Sequence, residues 1–205
     1  MNLKTLFICL SIVLTINSCA NWADITKELD PTKGLSSGQI YNEGKSFLNA
    51  GDFINAIKYF EVLESRYPFG IYATQAMLDL AYANYEFEKK DEAIVQCNRF
   101  IRLYPNHPNV DYAYYLRALA NFEKSANIIS RFFGADTSRY DVTILRESFD
   151  DFSLIINKFP NSKYVKDSRN RLLYLKNKMA SNELYIARYY RKRLAHVAAI
   201  ERVKY

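Results

Sequence analysis

Residues 51–68 read Gly51-Asp-Phe53-Ile-Asn-Ala56-Ile57-Lys-Tyr-Phe60-Glu-Val-Leu63-Glu-Ser-Arg-Tyr67-Pro68. Ala56, Ile57, Phe60 and Leu63 fall at i, i+1, i+4 and i+7, one stripe of a 3.6-residue helix. Pro68 closes the stripe, because its ring blocks the backbone hydrogen-bond ladder. The pattern returns 37 residues later as Ala93, Ile94, Cys97 and Phe100, closed by Tyr104-Pro105. A third copy, Ser148, Phe149, Phe152, Ile155 and Phe159-Pro160, comes 55 residues after the second. The third unit therefore carries 18 extra residues, which we place near 126–143.

After each Pro a second stripe begins. Tyr72, Ala73, Ala76, Met77 and Leu80 match Asn109, Val110, Ala113, Tyr114 and Arg117 by the same spacing. Each unit is thus a pair of antiparallel helices that buries its apolar faces only by stacking on its neighbours. The expected fold is all-α, a solenoid of stacked helix pairs that resembles the tetratricopeptide repeat. Its units run over 36–68, 72–105, 109–160 with the insertion, and an incomplete 163–205. Residues 161–205 contain neither Gly nor Pro. Tyr164 to Arg193 reads as one long helix, after which Ala199-Ile200-x-x-Val203 restarts the stripe of a second helix. By the spacing of the first unit that helix should close near position 211, so it is expected to be short or to lack a segment.

Of the 205 residues, 49% are hydrophobic and 24% charged, with only 6 Gly and 5 Pro. Such a composition excludes a disordered tail, a collagen and a disulfide mini-scaffold. The formal net charge is +6, unevenly spread: residues 158–205 sum to +10 and residues 1–157 to −4. A basic end of this kind meets nucleic acid, anionic lipid or an acidic protein surface, unless it is simply a solvated helix face.

The N-terminus carries an address. Lys4 precedes an apolar run from Thr5 to Ile16, too short for the roughly 20 residues of a membrane-spanning helix. The layout is that of a secretory signal over 1–18. Ile16-Asn17-Ser18-Cys19 resembles the bacterial lipobox, although Asn17 is unusual in its slot, and makes Cys19 the expected lipidation site; the alternative is ordinary secretion with Cys19 as a spare thiol. Lack of Asp just after the Cys implies sorting to the outer membrane, as in lipoproteins generally. Residues 19–35 then form a lipidated tether whose last sixteen residues reach about 55 Å. Cys97, on an apolar stripe, reads as a buried small hydrophobe, and no disulfide framework is available.

Catalytic parts are missing. There is no phosphate-binding loop, dinucleotide fingerprint, zincin motif, CxxC pair or nucleophile elbow. With two histidines, a His-based metal site has little material; His107 sits between Pro105 and Pro108 in a turn, and His196 stands alone in a basic helix. Asp150-Asp151 point about 100° apart on a helix and read as solvated surface. An enzyme, a metal site and a cofactor are therefore not expected. Arg188, Arg191, Lys192, Arg193, Arg202 and Lys204 with Tyr189 and Tyr190 have the chemistry of a nucleic-acid surface, but export past the inner membrane argues against that partner.

Several strings go beyond the generic repeat: Arg66-Tyr67-Pro68-Phe69-Gly70, Arg99-Phe100-Ile101-Arg102-Leu103, Pro105-x-His107-Pro108-Asn109-x-Asp111-Tyr112, Phe132-Phe133-Gly134-x-Asp136-x-Ser138-x-x-Asp141, Phe159-Pro160-Asn161-Ser162-x-Tyr164 and Ala187-x-Tyr189-Tyr190-x-x-Arg193. Together, over residues 36–205, they resemble the BamD family, lipoproteins of the β-barrel assembly machinery. The resemblance implies a non-catalytic scaffold lipid-anchored to the periplasmic face of the outer membrane. It implies that the C-terminal repeats hold the POTRA region of the BamA insertase, with Tyr189, Tyr190, Arg193 and Arg202 as contacts. It also implies that Tyr67, Phe69 and Tyr72 receive the aromatic-ended C-terminal signal of unfolded outer-membrane β-barrel proteins, and that other assembly lipoproteins are possible partners. The sequence departs from the family by ending without a fifth repeat. The alternative is a different tetratricopeptide envelope lipoprotein, a pilotin or division coordinator.

Overall fold

The computed structural model describes residues 30–133 and 142–204; Cys19, the whole signal and residues 134–141 of the insertion lie outside them. Within 36–204 the described residues form helices only. They are α1 (Ser37–Asn49), α2 (Phe53–Arg66), α3 (Ala73–Glu86), α4 (Lys90–Leu103), α5 (Val110–Phe133), α6 (Val142–Lys158), α7 (Val165–Lys192) and α8 (His196–Val203). Each helix packs on the next, and α3 and α5 also reach back to α1 and α3. This is the tetratricopeptide-like solenoid that the repeat predicts.

Two kinds of turn generate it. In the first, second and fourth pairs the first helix ends in a Schellman motif. Asp52, Lys89 and Ala195 donate their backbone N–H five residues back, to Phe47, Asn84 and Tyr190, at 2.9, 2.9 and 3.1 Å. The residue before each takes positive φ: Gly51 at 77°, Glu88 at 60° and Leu194 at 60°. Such a cap satisfies carbonyls that a helix end would leave bare. Between pairs, the aromatic before Pro leaves the helix, with φ −132° at Tyr67 and −130° at Tyr104, since a following Pro disfavours the helical conformation. Gly70, His107 and Ser162 then donate their N–H to Tyr67, Tyr104 and Phe159. Three copies of one turn thus join the four pairs.

The core lies where the stripes meet. Ala56, Phe60 and Leu63 in the first unit, Ala93, Cys97 and Phe100 in the second, and Phe152 and Ile155 in the third are fully buried. Gly44 marks the closest approach inside the first pair: a Cβ there would stand 2.9 Å from the Phe60 ring. Its counterparts Ala81 and Ala118 are fully buried. Cys97 is a free, fully buried thiol, pushed up to about 12 by burial.

One expectation is corrected. Asp150 is exposed, but Asp151 is buried and takes a bidentate pair from Arg117, with Nε to Oδ2 at 2.8 Å and Nη2 on Oδ1. Arg117 occupies the core-stripe position that Leu80 fills in the preceding unit, so its charge needs a buried partner. Burial raises Asp151 even with Arg117 pulling the other way.

Candidate functional site

The last pair is built differently from the others. In the second unit the first helix has 14 residues; α7 has 28. The extra 14 residues carry its end about 21 Å further, so α8 returns along the second half of α7. The small buried residue of that half is Ala187. At Leu173, the counterpart of Gly44, the side chain is 62% exposed.

A groove of about 320 Å³ runs between α7 and α8. Leu184, Ala187, Ala199, Ile200 and Val203 line it, and Arg188, Arg191 and His196 edge it. The register explains why its walls are apolar: Ala199, Ile200 and Val203 stand where Ala56, Ile57 and Phe60 stand in the first unit and Ala93, Ile94 and Cys97 in the second. Phe60 and Cys97 are fully buried, whereas Val203 is 54% exposed and Ile200 50%. These wall residues escape a reading that stops at the basic cluster, although the repeat register points to them.

The residues expected at this end are brought together only in part. Tyr189 and Tyr190 meet edge to face with ring centroids 5.7 Å apart, and the Arg193 guanidinium lies 4.6 Å from the Tyr189 centroid. Tyr189 and Arg193 are exposed, Tyr190 half-buried. Arg202 is not with them: it sits near the far end of α8, about 9 Å along the helix axis from His196, where Nη1 pairs with Glu183 at 3.4 Å. Glu201 likewise pairs with Lys204 at 2.8 Å. Arg188, Arg191 and Lys192 are exposed and have no acidic partner among the described residues.

The first inter-pair turn is the second surface. Tyr67 is exposed at its edge, Phe69 is 97% exposed and Ile71 88%. Asn106 and Pro108, then Asn161 and Lys163, occupy the same two positions in the later turns. Copy-by-copy comparison therefore singles out Phe69 and also Ile71, which the family strings do not mark. Tyr72 supports the fold: its ring stacks on Tyr41 at 5.0 Å, over Gly38, where a Cβ would come within 3.3 Å. Tyr41 in turn donates to the buried carboxylate of Asp79 at 3.0 Å, joined by Lys45 at 2.9 Å.

His107 is held in its turn, with its ring edge on Phe100 at 5.3 Å and Nδ1 accepting the Asn109 N–H at 3.1 Å. Among the described residues no group of three or more His, Cys, Asp or Glu is arranged to hold a metal ion, and no helix is long and apolar enough to cross a membrane. What the arrangement offers is adhesive surface: an apolar groove in a basic frame at one end, and an apolar turn at the other.

Residues 34–205 match the family YfiO, described as an outer membrane lipoprotein. The outer membrane protein assembly factor BamD of Neisseria meningitidis serogroup B is 37% identical over 202 residues, covering 98% of this chain and 76% of the relative. The BamD of Neisseria gonorrhoeae gives the same identity and coverage. That of Vibrio cholerae is 33% identical over 186 residues, or 91% of this chain and 75% of the relative.

Proposed function

The chain belongs to the YfiO family of outer membrane lipoproteins, and from that premise we propose that it is an outer membrane protein assembly factor acting as a non-catalytic scaffold. The structural observation that carries the reading is the exposed Tyr189–Arg193 pair near the end of α7, set among Arg188, Arg191 and Lys192 in a basic frame that suits a protein partner. Tyr189, Tyr190, Arg193 and Arg202 hold the POTRA region of a BamA-like insertase. Tyr189 and Arg193 form one contact point and Arg202 a second, and the aromatic–Arg pair has the composition of an interface anchor. Tyr67 and Phe69 receive the aromatic-ended segment of an unfolded barrel protein, with Tyr72 supporting their turn through its stack on Tyr41.

In this reading residues 1–18 are removed, Cys19 carries the lipid, and 19–35 tether the repeats to the periplasmic face of the outer membrane. The several acyl chains of a bacterial lipoprotein make that attachment stable, where one chain would be marginal. The test is extraction in detergent and pull-down from envelopes. A POTRA-bearing barrel is expected with the wild-type chain and is expected to be lost with Arg193→Glu combined with Arg202→Glu. Recovery of a pilus or division protein in its place, with the chain folded, would refute the assignment.

A further inference from the structure

The turn that carries Phe69 has few fastenings of its own. Two backbone bonds close it, from the Gly70 N–H to Tyr67 at 3.0 Å and from the Ala73 N–H to Gly70 at 2.9 Å. Pro68, Phe69 and Ile71 are exposed, so Tyr72 is the side chain by which residues 68–72 grip the fold. That grip lies on α1. The Tyr72 ring stacks on Tyr41 with centroids 5.0 Å and planes 20° apart, a favourable arrangement for two aromatic rings. Gly38, one turn before Tyr41, leaves the Tyr72 ring its room, since a Cβ there would come within 3.3 Å of it.

Tyr41 is itself held from α3. Its hydroxyl donates to Asp79 Oδ2 at 3.0 Å, while Lys45 Nζ and Gln75 Nε2 donate to Oδ1 at 2.9 and 3.3 Å. Three donors thus converge on one carboxylate whose side chain is only 9% exposed, and hydrogen bonds to an ionised acceptor are the strong ones. Burial and the Asp79 charge both raise the Tyr41 phenol, so the donor stays protonated. We propose that Tyr41, fixed by Asp79, is a positioning residue for client recognition: it holds Tyr72 and so sets the direction in which Tyr67 and Phe69 meet the client segment. This rests on the reading that the first inter-pair turn receives that segment, and it adds two residues, on α1 and α3, that act without touching the client.

The molecule supplies its own control. At the third turn Tyr164 stacks on Tyr115 at 4.4 Å, and the Tyr115 hydroxyl donates to Asp167 at 2.8 Å. This is the same brace on a turn whose tip is polar, with Asn161 and Lys163. At the second turn Leu78 and Asn109 stand in the two tyrosine positions, so that turn has no such brace.

The probe is a fluorescent peptide of about ten residues, alternately apolar and polar like a membrane-spanning strand and ending in Phe with a free carboxylate. It is titrated against the full chain in detergent. Tyr41→Leu removes ring and hydroxyl together and should weaken binding about tenfold. Tyr41→Phe keeps the ring, cuts only the bond to Asp79 and should cost about threefold; it also carries the test if Tyr41→Leu does not fold. Tyr115→Leu should lower the urea midpoint as Tyr41→Leu does, yet leave the peptide affinity at its wild-type value. Without peptide, the Gly70 and Ala73 amides should exchange about tenfold faster in Tyr41→Leu than in the wild-type chain. Equal losses of affinity in Tyr41→Leu and Tyr115→Leu would reduce the brace to a part of the fold and overturn the proposal. So would wild-type affinity in Tyr41→Leu, or unchanged exchange at Gly70 and Ala73. Phe69→Ser separates the two levels. If it abolishes binding while Tyr41→Leu does not, the positioning role alone falls. If binding survives Phe69→Ser, the client reading of the turn falls and the positioning role falls with it.

Discussion

The two ends of the solenoid use one grammar to opposite effect. At the first pair, Gly44 lets α1 and α2 approach until Phe60 fills the space between them, and α3 seals the face. The outward side chains of α1 are polar, including Gln39, Asn42 and Glu43, as a terminal repeat requires. At the last pair a longer first helix displaces its partner, Leu173 replaces the small residue, and Ile200 and Val203 keep the spacing of a core without being covered. Identical patterns can thus be sealed or left bare, depending on where the neighbouring helix falls.

The largest effect should separate Phe60 from its counterpart Val203. Phe60→Ala removes a fully buried ring and should destabilise the chain by about 4 kcal/mol, measured by urea denaturation. Val203→Ala should change stability by about 0.5 kcal/mol or less. If the two were equal, the groove would be covered in solution and the contrast between the ends would be void.

Next comes the small-residue position. Gly44→Leu drives a side chain into Phe60 and should cost about 3 kcal/mol, whereas Leu173→Gly should cost about 1 kcal/mol, the helix-propensity penalty of an exposed glycine. A third comparison concerns the Schellman turns. Gly51 accommodates positive φ freely; Leu194 holds φ 60° against its Cβ. Leu194→Gly should raise stability by about 0.5–1 kcal/mol with α8 in place, and Gly51→Leu should lower it by at least as much. A Leu194→Gly variant that loses stability would show that the last hairpin does not close as the first does.

The repeat period, the Pro turns and the long α7 are legible in the sequence because each depends on residues within one or two helical turns. Cys97 is legible for the same reason. The Schellman links are readable only at Gly51, since Glu88 and Leu194 take the same backbone without glycine. Asp151 reads as surface because its partner Arg117 lies 34 positions away; the available signal is an arginine on a stripe that needs leucine. At the site, Tyr189 and Arg193 sit one turn apart on the sequence and announce themselves. The α8 wall of the groove is marked by the Ala199-Ile200-x-x-Val203 stripe, but the bond from Arg202 to Glu183 depends on which half of α7 receives α8, and no local pattern records that.

The smallest effect is a pH dependence that should also divide the molecule. In the third and fourth units burial would raise Glu123 and Asp167, but hydrogen bonds from Lys90 and Tyr85 to Glu123, and from Arg171 and Tyr115 to Asp167, outweigh it and hold both below their usual range. A carboxylate lowered by folding contributes stability above its unfolded pKa, near pH 4, and loses it as the pH falls further. Glu64, in the first pair, runs the other way. Burial raises it despite Arg99 at 2.8 Å, so protonation relieves a penalty that is complete only above its folded pKa. Acidification from about pH 6 to 3 should therefore loosen α5 and α7 before α1 and α2, which amide hydrogen exchange followed by mass spectrometry would read. Both lowered groups are partly exposed and screened, so the difference should be modest. Glu123→Gln should flatten the acid sensitivity of α5, whereas Glu64→Gln should remove the acid tolerance of α2. Simultaneous loosening of all the helices would mean that the stacked units unfold as one body, leaving the two ends distinct in surface but not in stability.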